Sequence, residues 1–274
     1  MNVLVGALIV VGATAITVTV MLLVRRRAPE GSYFSDGDRA SGVFGVLATG
    51  FSVLLAFIIF LGFESYDESR AGAEDEAVLV VQQVQTAQFL PEDATNELTG
   101  ELVCYARSVV GGEWPALEQG TFGDSINPWG VEMFHTLRTV DPTSTTEESA
   151  YDRWMDQTAA REQARSARIH GAEGIIPPPL WLVLFVIATL IFGYMLFFSD
   201  RGERAVTQGV LMGSVTIVLT SSLLILTFFN DPYGEGAGTL QPVAMERSLR
   251  LIDAELDVVG LELTLPCDRD GNAA

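Results

Sequence analysis

Four long apolar runs punctuate the chain: Val3 to Val24, Gly42 to Phe63, Leu180 to Phe198 and Val206 to Phe229. At ~1.5 Å per helical residue each matches a bilayer core of ~30 Å. Arg25-Arg26-Arg27 follows the first run, whereas a cleaved leader carries its positive charges before the apolar core, so the pattern predicts a retained membrane helix. The second run passes without proline into Glu64 to Gln88, which carries Glu64, Asp67, Glu68, Glu74, Asp75 and Glu76 ahead of an amphipathic Val/Gln stretch. Nothing there stops a helix, so one helix is expected, half in lipid and half in water.

Between the second and third runs the period is helical. Pro91-Glu-Asp opens a segment through Leu98, Leu102 and Ala106 to Val110, with Gly111-Gly112 as its expected end. Asn127-Pro-Trp starts another, and Thr145-Thr-Glu-Glu148 has the spacing of a capping box ahead of Tyr151, Trp154 and Thr158. Beyond the last run, Val243 to Leu256 repeats the helical period. No stretch reads as a strand. The expected fold is all-α: residues 1–63 as two membrane helices with a short link, 64–178 as a helical soluble insert, 179–229 as two further membrane helices, and 230–274 as a tail packing on the insert.

Composition agrees with a membrane setting, since 49% of residues are hydrophobic, 19% are charged and the mean hydropathy is +0.31. The net charge of −19 argues against a nucleic-acid partner, whose phosphates need a basic patch. Every basic residue is arginine, and the absence of lysine removes phosphate-loop, Schiff-base and kinase chemistry. Arg25, Arg26, Arg27, Arg39, Arg201 and Arg204 crowd into the two short links, which places the links in the cytoplasm and the insert and tail outside. Cys104 and Cys267, the only cysteines, then share an oxidising side and are expected to pair.

No catalytic frame stands out. His135 and His170 lack a metal-ligating frame, and Glu101, Glu113 and Glu118 are unremarkable in so acidic a chain, so no enzyme, cofactor or metal is expected. Glu64, Asp67 and Glu68 form either a solvated collar or, in a symmetric oligomer, rings that gather cations. Ser52, Ala56, Ile59, Phe60 and Phe63 recur at helical spacing as either a narrow hydrophobic gate or ordinary packing. Gln82, Gln83, Gln85 and Gln88 are either a polar vestibule or bonds between helices. Asn230, Asp231 and Glu235 offer the oxygens that calcium uses, or else cap a helix end; Asp36-Gly-Asp38 lacks the acid that an EF-hand needs.

The order of two spans, a helical insert and two spans resembles the bestrophin channels. Ile176-Pro-Pro-Pro-Leu-Trp181 is similar to the entry of their third span, and Asp231-Pro-Tyr-Gly-Glu235 to their Asn-Pro-Phe-Gly-Glu turn. Leu54-Leu-Ala-Phe57, Glu74 to Ala77, Tyr105 with Val109, and Glu113-Trp-Pro115 look like the uncharacterised bacterial bestrophin-like membrane family, over roughly Asp36 to Gly260. The resemblance implies a pentameric ion channel of a bacterial cytoplasmic membrane, contacting lipid and inorganic ions, with the stripe from Ser52 to Phe63 at its neck. Two features differ. Gly236-Ala-Gly-Thr239 stands where bestrophins carry the acids of a calcium clasp, and bestrophins keep the insert and both termini in the cytoplasm. The other function expected is a non-conducting sensing or protein-interaction module on a membrane anchor.

Overall fold

The computed structural model describes residues 3–121, 126–234, 236–260 and 263–274, with the backbone alone at Glu173 and Val259. Nine α-helices follow one another among these residues: α1 (Val3–Arg25), α2 (Gly37–Ala87), α3 (Glu92–Ser108), α4 (Trp114–Glu118), α5 (Pro128–Leu137), α6 (Thr145–His170), α7 (Pro178–Phe197), α8 (Ala205–Asn230) and α9 (Val243–Val259). The described residues form no strand, only an isolated bridge between Cys267 and Ala273. The fold is all-α.

Local chemistry sets the helix ends. Asp36 opens α2 by accepting the Arg39 N–H at 3.0 Å, so the acid that faintly suggested a calcium loop is a helix cap. Asn127 caps α5 through the Trp129 N–H. The capping box of α6 is Ser144 with Glu147, one residue before the pair expected at Thr145 and Glu148. Both pairs have the right spacing, but Glu147 also collects the Thr143 N–H at 2.7 Å and hydroxyl at 3.0 Å, which fixes the earlier register. Gly111-Gly112 does not end its helix. Val109–Glu113 forms a π turn that runs straight into α4, and a Cβ at Gly111 would stand 3.0 Å from the Asp270 backbone, so glycine there admits the tail.

The chain divides into two compact units. The first holds α1, α2 as far as Ser65, α7 and α8. Its four helices are long and apolar enough to cross a membrane, yet between 6% and 28% of each apolar window is buried within the protein. Leu182, Phe185, Val186, Leu190, Val206 and Val210 are exposed, a patch that only lipid or another protein can cover. Inside, Phe51, Leu55 and Ile58 of α2 meet Leu184, Ala188 and Ile191 of α7 and Leu219 and Leu226 of α8. Gly209 and Gly213 let α8 approach α1, where Thr14, Val18 and Met21 come within 3.8 Å of where a Cβ would stand. The two short links are stitched together: the Arg25 guanidinium donates to the Arg201 carbonyl at 3.1 Å, Gly31 N–H to Asp200 at 3.0 Å, and Tyr33 N–H to the Phe197 carbonyl at 3.1 Å.

The second unit holds Tyr66–Glu173 and the tail from Thr239 onward, with Pro232–Gly234. Its core gathers Val80 and Val84 of α2, Leu98, Leu102 and Tyr105 of α3, Trp114, Trp154 of α6 and Ile252 of α9. A Cβ on Gly72 would lie 2.6 Å from the Arg168 nitrogen and 2.7 Å from the Ala164 oxygen, so α2 and α6 touch backbone to backbone. Cys104 and Cys267 form a disulfide that ties the tail to α3.

Candidate functional site

Helix α2 has two unlike faces. Phe51, Leu55, Ile58, Gly62, Ser65, Ser69, Gly72 and Glu76 are all buried, and their alternating four- and three-residue spacing makes one seam along the helix. On the opposite face Ser52, Ala56, Phe60 and Phe63 are exposed, and Ile59 is half-buried against the membrane core. Phe60 and Phe63 are 60% and 50% exposed, so the described residues leave most of this stripe uncovered. The Phe63 ring meets Phe229 edge-on at 5.8 Å. Glu64, Asp67 and Glu68 are likewise exposed, and Asp67 carries only a long, wet contact with Arg70 at 3.8 Å. Uncovered apolar and small residues followed by uncovered acids are what a helix presents to a symmetry axis or to lipid and water.

The acid run also contains a residue of a different kind. Glu76 has no exposed surface and belongs to no collar. Arg168, equally buried, donates to both its oxygens and also to Glu113, while the Tyr105 hydroxyl donates to Glu76 at 2.6 Å. Arg165 donates to Glu113 at 3.0 Å, Asn127 does so at 2.8 Å, and the Tyr233 hydroxyl donates to the Arg168 carbonyl. One turn away Arg161, 1% exposed, donates to Gln83 at 2.8 Å and lies 4.6 Å from the Tyr105 ring centroid. Burial pushes Glu113 up, but Arg168 and Arg165 outweigh it and hold the carboxyl below its ordinary range. Burial and the neighbouring Glu76 carboxylate keep the Tyr105 phenol protonated far into base. Such a network fastens α2, α3, the π turn and α6 into one block of the second unit.

Gln83 also donates to Thr158 at 2.9 Å, and Gln85 and Gln88 donate to Glu255 at 3.2 and 3.1 Å, so these amides join helices. Gln82 alone of the four stays exposed without such a bond among the described residues. Glu101 differs from the other acids set aside above. It is 5% exposed, accepts the Thr136 hydroxyl at 2.9 Å on one oxygen, and has no partner among the described residues on the other. Burial, with Glu97 and Glu132 nearby, pushes it up to about 7. Glu118, His135 and His170 are exposed. Among the described residues no group of three His, Cys, Asp or Glu side chains is placed to hold a metal ion.

At the end of α8, Asn230 accepts the Ile176 N–H at 3.0 Å through Oδ1, which spends that oxygen on the entry to α7. Asp231 is exposed, and Glu235 lies outside the described residues. In the soluble unit Tyr233 packs edge-on against Trp114 at 5.5 Å, and Trp114 Nε1 donates to the Leu240 carbonyl at 3.4 Å.

Comparison with known proteins places the chain. A bacterial bestrophin homologue from Klebsiella pneumoniae, crystallised with a point substitution, shares the fold at a TM-score of 0.69 and 14% identity, over 92% of this chain and 99% of that one. A second variant of that homologue gives 0.66 at 15% identity over 92% and 99% of the two chains. A crystal structure described as a membrane protein gives 0.68 at 14% identity over 92% and 98%. No functionally curated protein matches. The model of the Bestrophin-like domain matches residues 11–244, which is most of the chain and includes α2, the buried arginine network and the α7–α8 pair; the protein belongs to the Bestrophin-like family.

Proposed function

We propose that this protein is a subunit of an oligomeric ion channel in a bacterial cytoplasmic membrane, with α2 facing the axis. The observation that carries the reading is the uncovered face of α2. Ser52, Ala56, Phe60 and Phe63 turn away from the chain's own core, and Glu64, Asp67 and Glu68 continue uncovered beyond them. Repeated around an axis, the aromatic stripe narrows and dries the passage, and the carboxylates concentrate cations at its mouth. Five copies are the number the family resemblance implies. The insert and tail face the cell exterior, a reading supported by the arginines of the two stitched links and by the disulfide.

Two measurements test this. Purified protein in detergent shows a five-fold assembly by native mass, and reconstituted protein passes cation currents that Glu64→Gln reduces severalfold at low salt. A monomer or dimer, or currents indifferent to Glu64→Gln, counts against an axial α2. Protease added to intact spheroplasts clips the insert if it lies outside and leaves it whole if it faces the cytoplasm.

A further inference from the structure

The four membrane helices enclose a cavity of ≈ 440 Å³, within the ~300–1,000 Å³ range of small-molecule sites. Met21 of α1, Phe44 of α2, Met195 and Phe198 of α7 and Met212 of α8 form an apolar, adaptable wall. All four helices of one chain contribute to its walls. Its polar lining comes chiefly from the α7–α8 link and the first turn of α8: Ser199, Glu203 and Gln208.

Two of these polar groups are unmatched. Ser199 is 2% exposed, and its hydroxyl has no partner among the described residues. Elsewhere in the membrane helices Thr14, Ser52, Thr189 and Thr216 each donate to the carbonyl four residues earlier, and at the cavity Ser214 donates to Leu211. Gln208 is 6% exposed, and its Nε2 donates to the Asp200 carbonyl and to the Glu203 carboxylate, both at 3.0 Å. Those two acceptors fix which end of the amide is nitrogen, so Oε1 is left as an acceptor with no donor among the described residues. The two residues that carry an unmatched buried donor and an unmatched buried acceptor, each costly to leave unmade, thus both line one apolar cavity.

We propose that this cavity binds a membrane lipid with an uncharged, hydroxyl-bearing head, of the monoacylglycerol or diacylglycerol class. A hydroxyl can accept from Ser199 and donate to Gln208 Oε1 once the two side chains turn toward it. Its acyl chain lies along the methionine wall. A phosphate diester has no proton to give Oε1, so the donor–acceptor pair of Ser199 and Gln208 selects a hydroxyl head.

The probe is monoolein, added to delipidated full-length protein in lauryldimethylamine oxide, a detergent without hydroxyls, beside methyl oleate, which keeps the chain and lacks the hydroxyls. Monoolein is expected to raise Tm by several degrees and to be retained in native mass spectra, and methyl oleate to do neither. Ser199→Ala removes one hydroxyl and weakens monoolein retention about tenfold, the loss of one hydrogen bond. Ser214→Trp, which puts an indole into the cavity, abolishes it even if Ser199→Ala proves unstable. Equal effects of the two oleates, showing an apolar additive only, overturn the proposal. Monoolein binding that survives Ser214→Trp does so too.

Discussion

Arg168 and Glu76 form the most deeply buried ion pair among the described residues. Neither has exposed surface, and each is charged, so their attraction must offset the loss of hydration on both sides. Truncating one partner strands the other: Arg168→Met is expected to lower stability by about 3–5 kcal/mol, whereas the double substitution Arg168→Met with Glu76→Gln costs less than the sum of the singles. Chemical denaturation of the four proteins checks this, and additive losses would show that the pair does not act as a unit. Glu101 shifts in the opposite sense to Glu113. Its folded value near 7 lies above the ordinary 4.5, so the contribution it makes while protonated is complete below pH 4.5 and is lost as pH rises through 7. Glu101→Gln should therefore be more stable than the parent by about 1–2 kcal/mol at pH 8 and indistinguishable from it at pH 4, while a gap independent of pH would mean that the carboxyl does not titrate there. Neither role was legible from residue type alone. Glu76 sits in the run Glu74-Asp75-Glu76, and only the alternating four- and three-residue register counted from Phe51 separates it from its two exposed neighbours.

At the scale of elements, α2 is best understood through its glycines. Gly72 stands where α6 touches the helix backbone, whereas a Cβ on Gly50 meets nothing within 4 Å. Gly50→Ala should be neutral or stabilising by up to about 1 kcal/mol from helix propensity. Gly72→Ala should cost about 1–3 kcal/mol, because backbone rather than a flexible side chain must give way. Thermal unfolding of both variants tests the contrast, and equal behaviour would refute the close contact. The boundaries of α1, α7 and α8 fall within a few residues of the apolar runs, since greasy stretches between arginines or prolines leave little choice of ends. The π turn was not legible. Gly111-Gly112 reads as a stop, and only the tail folding back against it from Asp270 explains why glycine stands inside a continuing helix.

For the whole molecule, four spans and an all-helical insert followed from hydropathy and period, because both are local properties of the chain. What lies against the open face of α2 is not local, and no pattern within one chain states how many copies meet. The disulfide is a long-range constraint of another kind, closing 163 residues of sequence separation. Cys104→Ser with Cys267→Ser should lower the stability of the soluble unit by about 2–4 kcal/mol, and dithiothreitol should do the same to the parent and nothing to the variant. Urea titrations with and without reductant distinguish this from a bond that is merely tolerated.

That bond also sets an order of events during synthesis. Cys104 precedes α7 and α8 and Cys267 follows them, so the two sulfurs can meet only if the chain crosses the bilayer an even number of times between them. The first thiol must therefore wait, unpaired with Cys267, until synthesis has passed α7 and α8 and both have inserted. Covalent closure then follows insertion of that hairpin, and a hairpin inserted with the wrong parity is left with two thiols in different compartments. In a pulse-chase, the shift in non-reducing gel mobility should appear only after Cys267 has been made, and it should never appear in molecules that failed to insert the pair.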